Sequence, residues 1–202
     1  MKLTAIKAQV KNPQRVSLFL DEQYAFSLSL DELVKFRLKQ NDEFSEAELK
    51  KFKKISADGK LRARALEWLI NRPHSEREFR DYLYRKKADP DQIESLVSEF
   101  TKRGYLDNAK FAAWFVELQA RRGKSDRAIR SELFAKGVSR ELADEVLEQS
   151  QNNEPERLRL IIDKKTRLAR YQKDPVKLAK YLTSQGFSYQ LVKEQLKINS
   201  PD

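Results

Sequence analysis

Few residues in this chain have side chains that could perform catalysis or hold a metal ion. None of the 202 residues is cysteine, which excludes thiolate chemistry and cysteine-ligated zinc. The single histidine, His74, stands between Pro73 and Ser75 with no carboxylates at ligand spacing. A Ser–His–acid triad would have to use the same residue, beside a predicted helix cap. We therefore predict that His74 is a solvated loop residue.

The five glycines do not form a phosphate-binding loop, because they are scattered along the chain. Four of them stand at predicted helix ends, and Gly59 falls in a predicted linker. Acidic residues such as Asp81 and Glu132 fall on predicted exposed helix faces. The sequence thus predicts a protein that is not an enzyme and has no cofactor and no metal site.

Positive charge is the more informative chemical feature of the sequence. The chain has 41 Lys+Arg against 31 Asp+Glu, a formal net charge of +10. Such an excess favours a polyanion or an acidic protein surface as partner. Basic clusters occupy 50–54, 85–87, 121–124 and 163–170. The candidate contact residues are Arg121, Arg122, Lys124, Arg127 and Arg130, followed by Lys164, Lys165, Arg167 and Arg170.

Each basic cluster also has a purely structural explanation. Several close a predicted helix, where cations interact favourably with the negative end of the helix dipole. Arg127 and Arg130 are the sharper case, since they lie one turn apart on a helix and away from Ile129 and Leu133. We expect these two arginines to be exposed together.

The helices that must position these residues follow a repeat. Leu133–Ser139 (LFAKGVS) and Leu182–Ser188 (LTSQGFS) share the pattern Leu-x-x-x-Gly-apolar-Ser. A capping residue precedes each leucine by eight positions, and a third copy begins at Ser75. The pairs of cap and leucine are Ser75 and Leu83, Ser125 and Leu133, and Asp174 and Leu182.

Each copy also has a further helix before its cap, so the repeating unit is three helices. The predicted extra helices are 61–71, 108–122 and 155–170. One unit of under ~50 residues buries too little apolar surface to be stable alone, and stacking neighbours solves this. In the first copy the segment YRKKADP replaces the glycine that ends the helix in the other two.

The first sixty residues follow a different pattern. In VSLFLDEQYAFSLSL, Val16 to Leu20 alternate and so do Tyr24, Phe26 and Leu28, which predicts a hairpin turning at 21–23. Residues 3–10 are a candidate third strand, and 31–36 and 45–55 are predicted helices. The fold class is therefore mostly α: three tandem three-helix repeats in an elongated curved stack, behind a small N-terminal α/β part with a β-hairpin. The predicted ranges are 1–60, 61–107, 108–152 and 153–202.

Localisation follows from the absence of targeting patterns. The first residues, MKLTAIKAQVKN, contain no apolar core of a secretory signal. No apolar run approaches the ~20 residues that a membrane-spanning helix needs. The expectation is a cytoplasmic protein without a membrane partner.

Three stretches resemble a known family. RPHSEREFRDYL (72–83), GYLDNAKFAAWFV (104–116) and GKSDRAIRSELFAKGVSRELADEVL (123–147) are similar to signature stretches of the RecX family. The hairpin segment resembles that of longer members, so the likeness covers nearly the whole chain. One departure is Asp107-Asn108, where the family usually has Asn or Asp followed by Asp.

The resemblance implies a function. Members of that family are bacterial regulators of the RecA recombinase. They bind along the groove of RecA–DNA filaments, and they suppress strand exchange and ATP turnover. For this chain, the resemblance implies that RecA and its filament are the partners and that the role lies in DNA repair, recombination and the SOS response. It also implies that the protein is a monomer.

Two other functions stay open on the residues alone. Capped helix–turn–helix units with excess positive charge also suit a free-standing DNA-binding protein. Weak direct DNA contact is compatible with either function. An interaction scaffold that uses neither RecA nor DNA is the third alternative.

Overall fold

The structure, a computed structural model, describes residues 1–150, 153–172 and 174–197. The backbone divides into two compact units. The first contains Met1–Asn71 and Lys86–Leu96, and the second contains Arg72–Arg85 and the chain from Val97 onward. The predicted division into four ranges stays a prediction.

The first unit begins with an antiparallel sheet in the order β1-β2-β3, which confirms the hairpin and the third strand. The strands are β1 (Leu3–Gln9), β2 (Asn12–Leu20) and β3 (Gln23–Ser29). The turn uses Asp21 and Glu22, both with positive φ (45° and 67°), so two non-glycine residues form it. Leu18 and Phe26 pair across the hairpin and are buried.

One expectation for β3 was wrong. The alternation predicts that Tyr24 shares the buried face with Phe26, but Tyr24 is 53% exposed. Consecutive residues Leu18 and Phe19 pair with Phe26 and Tyr24, so Ala25 is an extra residue in β3. This bulge shifts the alternation by one residue and turns Tyr24 to the other face.

Two helices pack on this sheet, α1 (Leu30–Lys35) and α2 (Glu46–Ile70). The predicted linker at Gly59 is wrong, because α2 continues through it without a break. A glycine inside a helix costs only about 1 kcal/mol relative to alanine, less than the burial of flanking residues such as Phe52 and Leu69 contributes. A Cβ at Gly59 would lie 3.0 Å from Glu32 Oε1, so α1 approaches closely at this point.

The repeats follow, as predicted. The helices are α3 (Glu76–Arg85) and α4 (Pro90–Lys102), then α5 (Asn108–Arg121), α6 (Asp126–Ala135) and α7 (Arg140–Gln149), then α8 (Glu154–Thr166), α9 (Ala169–Gln172), α10 (Pro175–Ser184) and α11 (Tyr189–Leu196). The second and third repeats each have a core of their own, centred on Phe111 and Leu133 and on Leu158 and Leu182. The predicted helix 155–170 ends early at Thr166, and the short α9 follows it.

The predicted caps are confirmed. The hydroxyl of Ser75 accepts from Glu78 N (3.1 Å), and that of Ser125 accepts from Ala128 N (3.1 Å). The carboxylate of Asp174 accepts from Lys177 N at 2.8 Å, and Pro175 fills the first turn. Each bond satisfies an N–H that the helix itself leaves without a partner.

The middle helix of each repeat ends at an equivalent position, four residues after the leucine of the shared pattern. We call this residue the helix stop. Gly137 and Gly186 have φ of +81° and +94°, as the left-handed helix terminator requires. In the first repeat the same position is Lys87, with φ +61°. The missing glycine is therefore replaced by a lysine in the same backbone conformation, at a cost of about 1–2 kcal/mol.

The second unit contains the same junction twice. A Cβ on Gly137 would lie 2.9 Å from Arg77 Cβ, and a Cβ on Gly186 would overlap Ser125 Oγ. The glycine that ends α6 thus packs on the first turn of α3, and the glycine that ends α10 packs on the first turn of α6. In both cases the contact joins one repeat to the repeat before it. The repeated heptads are contact surfaces as well as helix terminators.

The start of each following repeat completes the junction. Asn108 Oδ1 accepts from Glu76 N at 3.0 Å, and Glu154 Oε1 accepts from Asp126 N at 2.7 Å. Asp107 meanwhile caps its own helix α5 through the N–H groups of Ala109 and Lys110. This explains the pair Asp107-Asn108, in which each side chain satisfies a different helix.

Candidate functional site

Helices α6 and α7 of the second repeat place three arginines around one groove. Ser125 and Ser139 fix where the two helices begin, and Ile129 and Leu133 turn one face of α6 into the core. The opposite face therefore points outward. The groove between the helices has a volume of about 550 Å³. Its lining residues are Arg127, Arg130, Ser131, Phe134, Arg140 and Ala143.

This arginine–phenylalanine groove has charge available for a partner. Among the residues that the structure describes, Arg127 and Arg140 have no carboxylate within ion-pair distance, whereas Arg130 binds Asp144. Phe134 is 70% exposed although it is aromatic. Arginine forks bind carboxylates or phosphates, and an exposed aromatic ring supplies an apolar anchor. Arginine and aromatic residues are both enriched at protein interfaces.

The other predicted residues of the second repeat do not join that groove. Arg121 pairs with Glu117 at 3.0 Å and Lys124 pairs with Glu132 at 2.5 Å, so both charges are balanced within the repeat. Arg122 is the exposed residue that ends α5. The five predicted residues therefore belong to more than one surface. Arg127 and Arg130 line the same groove, but only Arg127 is exposed, because Arg130 is half-buried and pairs with Asp144.

A second groove joins members of the two predicted clusters. It has a volume of about 280 Å³, and Arg121 and Lys164 both line it, together with Gly123 and Arg157. Arg157 is 9% exposed, and its Nη2 binds Asp126 at 2.6 Å. Its Nε and Nη1 have no hydrogen-bond partner among the described residues. The spacing of Glu154 and Arg157 is compatible with a local ion pair, and they lie 4.0 Å apart, but the sequence does not indicate the stronger bond to Asp126, which lies 31 positions away in another repeat.

Two of the remaining predicted basic residues of the third repeat lie against aromatic side chains. Lys165 Nζ lies 4.8 Å from the Tyr181 ring centre, and the Arg170 guanidinium lies 4.6 Å from that of Tyr171. Arg167 ends α8 and is exposed. Cation–π contacts therefore engage Lys165 and Arg170 inside their own repeat.

The prediction that His74 is a solvated loop residue is wrong. It is 4% exposed, and its Nδ1 lies 3.2 Å from Glu78 Oε2. The same carboxylate accepts from Arg72 at 3.0 Å and from Lys136 at 2.5 Å. Burial raises the pKa of Glu78, but the hydrogen bonds from His74, Lys136 and Arg72 lower it by more, so the pKa lies well below its usual value.

This network explains why a histidine can be buried here. A buried polar side chain needs partners, and Glu78 supplies one. The three donors keep Glu78 ionised, so at neutral pH it is a poor proton donor. They also join the segment before α3 to the end of α6, where Lys136 lies.

Neither a metal site nor a membrane-spanning helix occurs within residues 1–150, 153–172 and 174–197. No three histidine, aspartate or glutamate side chains of these ranges are grouped so that they could hold a metal ion. None of the helices in the same ranges is long and apolar enough to cross a membrane.

The fold and these grooves define a helical-repeat protein whose second and third repeats expose basic surfaces and whose N-terminal part contains a three-stranded sheet. Comparison with known proteins agrees. The chain matches family models for the regulatory protein RecX N-terminal domain (residues 1–45), the first RecX three-helix domain (62–100) and the second (107–147). The chain belongs to the RecX family of regulatory proteins.

Individual relatives support this assignment. The chain is 31% identical to regulatory protein RecX of Clostridium botulinum (strain Eklund 17B), over 97% of this chain and 95% of that one. It is 33% identical to the protein of the same name from Listeria welshimeri, over 74% of this chain. The match spans only 56% of the length of that Listeria relative.

Solved structures show the same fold. A crystal structure of a regulatory protein RecX superposes with a TM-score of 0.70 at 25% identity, covering 98% of this chain and 99% of that one. The crystal structure of RecX from Lactobacillus salivarius gives a TM-score of 0.59 at 18% identity, over 70% of this chain and 95% of that one, and shows the fold alone.

Proposed function

We propose that this chain binds the RecA recombinase on its DNA filament and mainly inhibits its strand exchange and ATP turnover. The family assignment supports the choice of partner. The observation that carries the proposal for a site is the arginine–phenylalanine groove, with two arginines free of carboxylates among the described residues and a phenylalanine that is 70% exposed. This combination suits an acidic protein surface that also offers an apolar contact.

The groove would act by occupying a RecA surface that the filament needs. Arg127 and Arg140 would bind acidic side chains of RecA, and Phe134 would enter an apolar site beside them. A bound chain then blocks addition of the next subunit, occupies the filament groove or promotes disassembly. Each route lowers ATP turnover. Inhibition of RecA is a role in DNA repair and recombination. A protein with this role would act in the cytoplasm.

The test measures RecA ATPase on single-stranded DNA with the protein added below one molecule per RecA. We expect inhibition at substoichiometric amounts. The double variant Arg127→Ala/Phe134→Ala should need roughly 30-fold more protein, which corresponds to a binding free energy weaker by about 2 kcal/mol. Its melting temperature should change little, because both side chains are exposed.

A matched control removes one cation and one exposed apolar side chain elsewhere. Val176→Ala/Lys177→Ala in α10 does this, since both residues are exposed, and it should inhibit like the wild type. Equal weakening in both double variants would contradict the proposed site. Inhibition that appears only when protein covers the DNA lattice would instead favour a free-standing DNA-binding protein, and no inhibition would favour the scaffold.

A further inference from the structure

The first unit contains a basic groove that the predicted contact residues do not include. Its walls are α2 and the segment between α3 and α4 together with the first turn of α4, and its volume is about 440 Å³. The charged residues that line it are Lys54, Asp58, Lys60, Arg64, Lys86 and Lys87. The structure thus brings together residues from the basic runs at 50–54 and 85–87, which are far apart in the sequence. We call this surface the lysine groove.

The single carboxylate of the lysine groove is held by a neutral group. Asp58 Oδ1 accepts from Gln92 Nε2 at 2.5 Å, and no cation among the described residues lies within ion-pair distance of Asp58. Gln92 is itself fixed, because its Oε1 accepts from Asp89 N and its own N–H donates to Asp89 Oδ1. Five cations and one carboxylate therefore line this groove, and of the cations Lys54 and Lys87 have no ion-pair partner among the described residues.

Among the residues of the lysine groove, Lys87 gives the most specific indication of a functional role. It occupies the left-handed position that is glycine in the other two repeats, at Gly137 and Gly186. A lysine there is strained, and strained backbone is often retained at functional sites. Its charged side chain lines the groove, which a glycine could not provide.

The chemistry of the groove favours phosphate over a protein surface. Four of its five cations are lysines, and lysine is depleted at protein interfaces but binds phosphates well as a point charge. The apolar lining is limited to Ala57, Leu61 and Ala88, without the aromatic anchor of the arginine–phenylalanine groove. Lys54 to Arg64 extend over about 15 Å of α2, the length in which one strand of a duplex presents about four phosphates.

We propose that the lysine groove binds the phosphate backbone of a nucleic acid. Binding of this kind is independent of base sequence and depends on salt, because each neutralised phosphate releases counterions. The proposal does not rest on the proposed function, since the purified chain alone should show it. If the chain binds DNA through this groove but does not inhibit RecA, only the proposed inhibition of RecA is contradicted.

The experiment uses the full chain and fluorescence anisotropy with two labelled probes, an oligothymidylate single strand and a duplex of mixed sequence. Lys87→Gly and Lys54→Gln should each weaken binding to both probes. For each phosphate that a variant no longer neutralises, the slope of log K against log salt should become shallower by ~0.7 on the single strand and by ~0.9 on the duplex. The affinities for the two probes, compared at one salt concentration, show which form of nucleic acid the groove prefers.

Matched controls separate the groove from general charge. Lys197 also has a left-handed backbone, with φ +52°, and is exposed, so Lys197→Gly removes the same charge from the same conformation. Lys11→Gln is the counterpart of Lys54→Gln in the first unit. Both controls should bind like the wild type. Lys87→Gly should not lower the melting temperature, because glycine adopts positive φ without a Cβ penalty.

Three outcomes would overturn the proposal. The groove variants could keep wild-type affinity and salt slope. The controls could weaken binding as much as the groove variants do, which would make the binding a property of net charge. The groove variants could keep oligonucleotide binding but fail to bind labelled polyglutamate, which would assign the groove to an acidic protein.

Discussion

Replacing Glu78 with glutamine should lower the free energy of unfolding by about 2–3 kcal/mol at neutral pH. The Glu78 side chain is only 17% exposed, and it accepts from Arg72, His74 and Lys136. Glutamine keeps the shape but removes the negative charge, so three donors are left without a charged acceptor. The cost stays below that of a fully buried pair, because Arg72 and Lys136 are 37% and 34% exposed and can be rehydrated.

The same variant should change how stability depends on pH. The pKa of Glu78 is lowered from 4.5 in the folded state, so folding favours the ionised carboxylate. This stabilisation is fully present above the unfolded-state pKa and is lost as the pH falls through the folded-state pKa. The difference in stability between wild type and Glu78→Gln should therefore be constant above about pH 5 and shrink in more acidic solution.

Urea unfolding at a series of pH values tests both expectations. The control is Glu132→Gln, which breaks the pair with Lys124 on a side chain that is 38% exposed. Exposed pairs contribute about 0–1 kcal/mol, so this variant should stay near the wild type. If the two substitutions cost the same, or if the difference for Glu78 does not shrink in acid, the network does not stabilise the fold as described.

The repeat architecture could be predicted from sequence because its determinants are local. A cap such as Ser125 and a stop such as Gly137 act on the nearest turn of their own helix, so the residue types alone indicate where helices begin and end. The apolar spacing between them gives the buried face. The caps, the helix order and the hairpin are confirmed on this basis.

The errors come from interactions between distant residues. His74 is buried because Glu78 and the end of α6 surround it, and Lys136 lies 58 positions from Glu78. Gly59 is helical because tertiary packing on the sheet outweighs its weak propensity. The bulge at Ala25 leaves no mark in the alternation of residue types, so the outward turn of Tyr24 could not be foreseen.

For the candidate surfaces too, local features could be predicted from the sequence and contacts between distant residues could not. The spacing of Arg127 and Arg130 on one helix predicts that they lie together, and the structure places both in one groove. The spacing does not predict that Arg130 is engaged by Asp144 or that Arg140 of the next helix joins them. The lysine groove was missed for the same reason, because its two walls are separate segments of the chain.

Replacing Gly186 with alanine should destabilise the protein more than the same change at Gly104. Both glycines have positive φ, +94° and +72°, so each alanine carries a left-handed backbone penalty of about 1–2 kcal/mol. A Cβ at Gly104 would meet nothing within 4 Å, whereas one at Gly186 would overlap Ser125 Oγ and lie 3.1 Å from Ala128 Cβ. The second alanine must therefore displace the cap of α6 or open the junction between the second and third repeats.

The expected cost at Gly186 is about 2–5 kcal/mol, from the backbone penalty plus overpacking of about 1–3 kcal/mol. Gly137→Ala should fall between the two, since its Cβ would lie 2.9 Å from Arg77 Cβ. Thermal and urea unfolding of the three variants give the order directly. Equal destabilisation at all three positions would mean that the glycines serve only as helix terminators and that the junctions do not depend on close contact. The predicted order requires each stop to be a packing surface for the preceding repeat, which gives the shared pattern of Leu133–Ser139 and Leu182–Ser188 its physical reason.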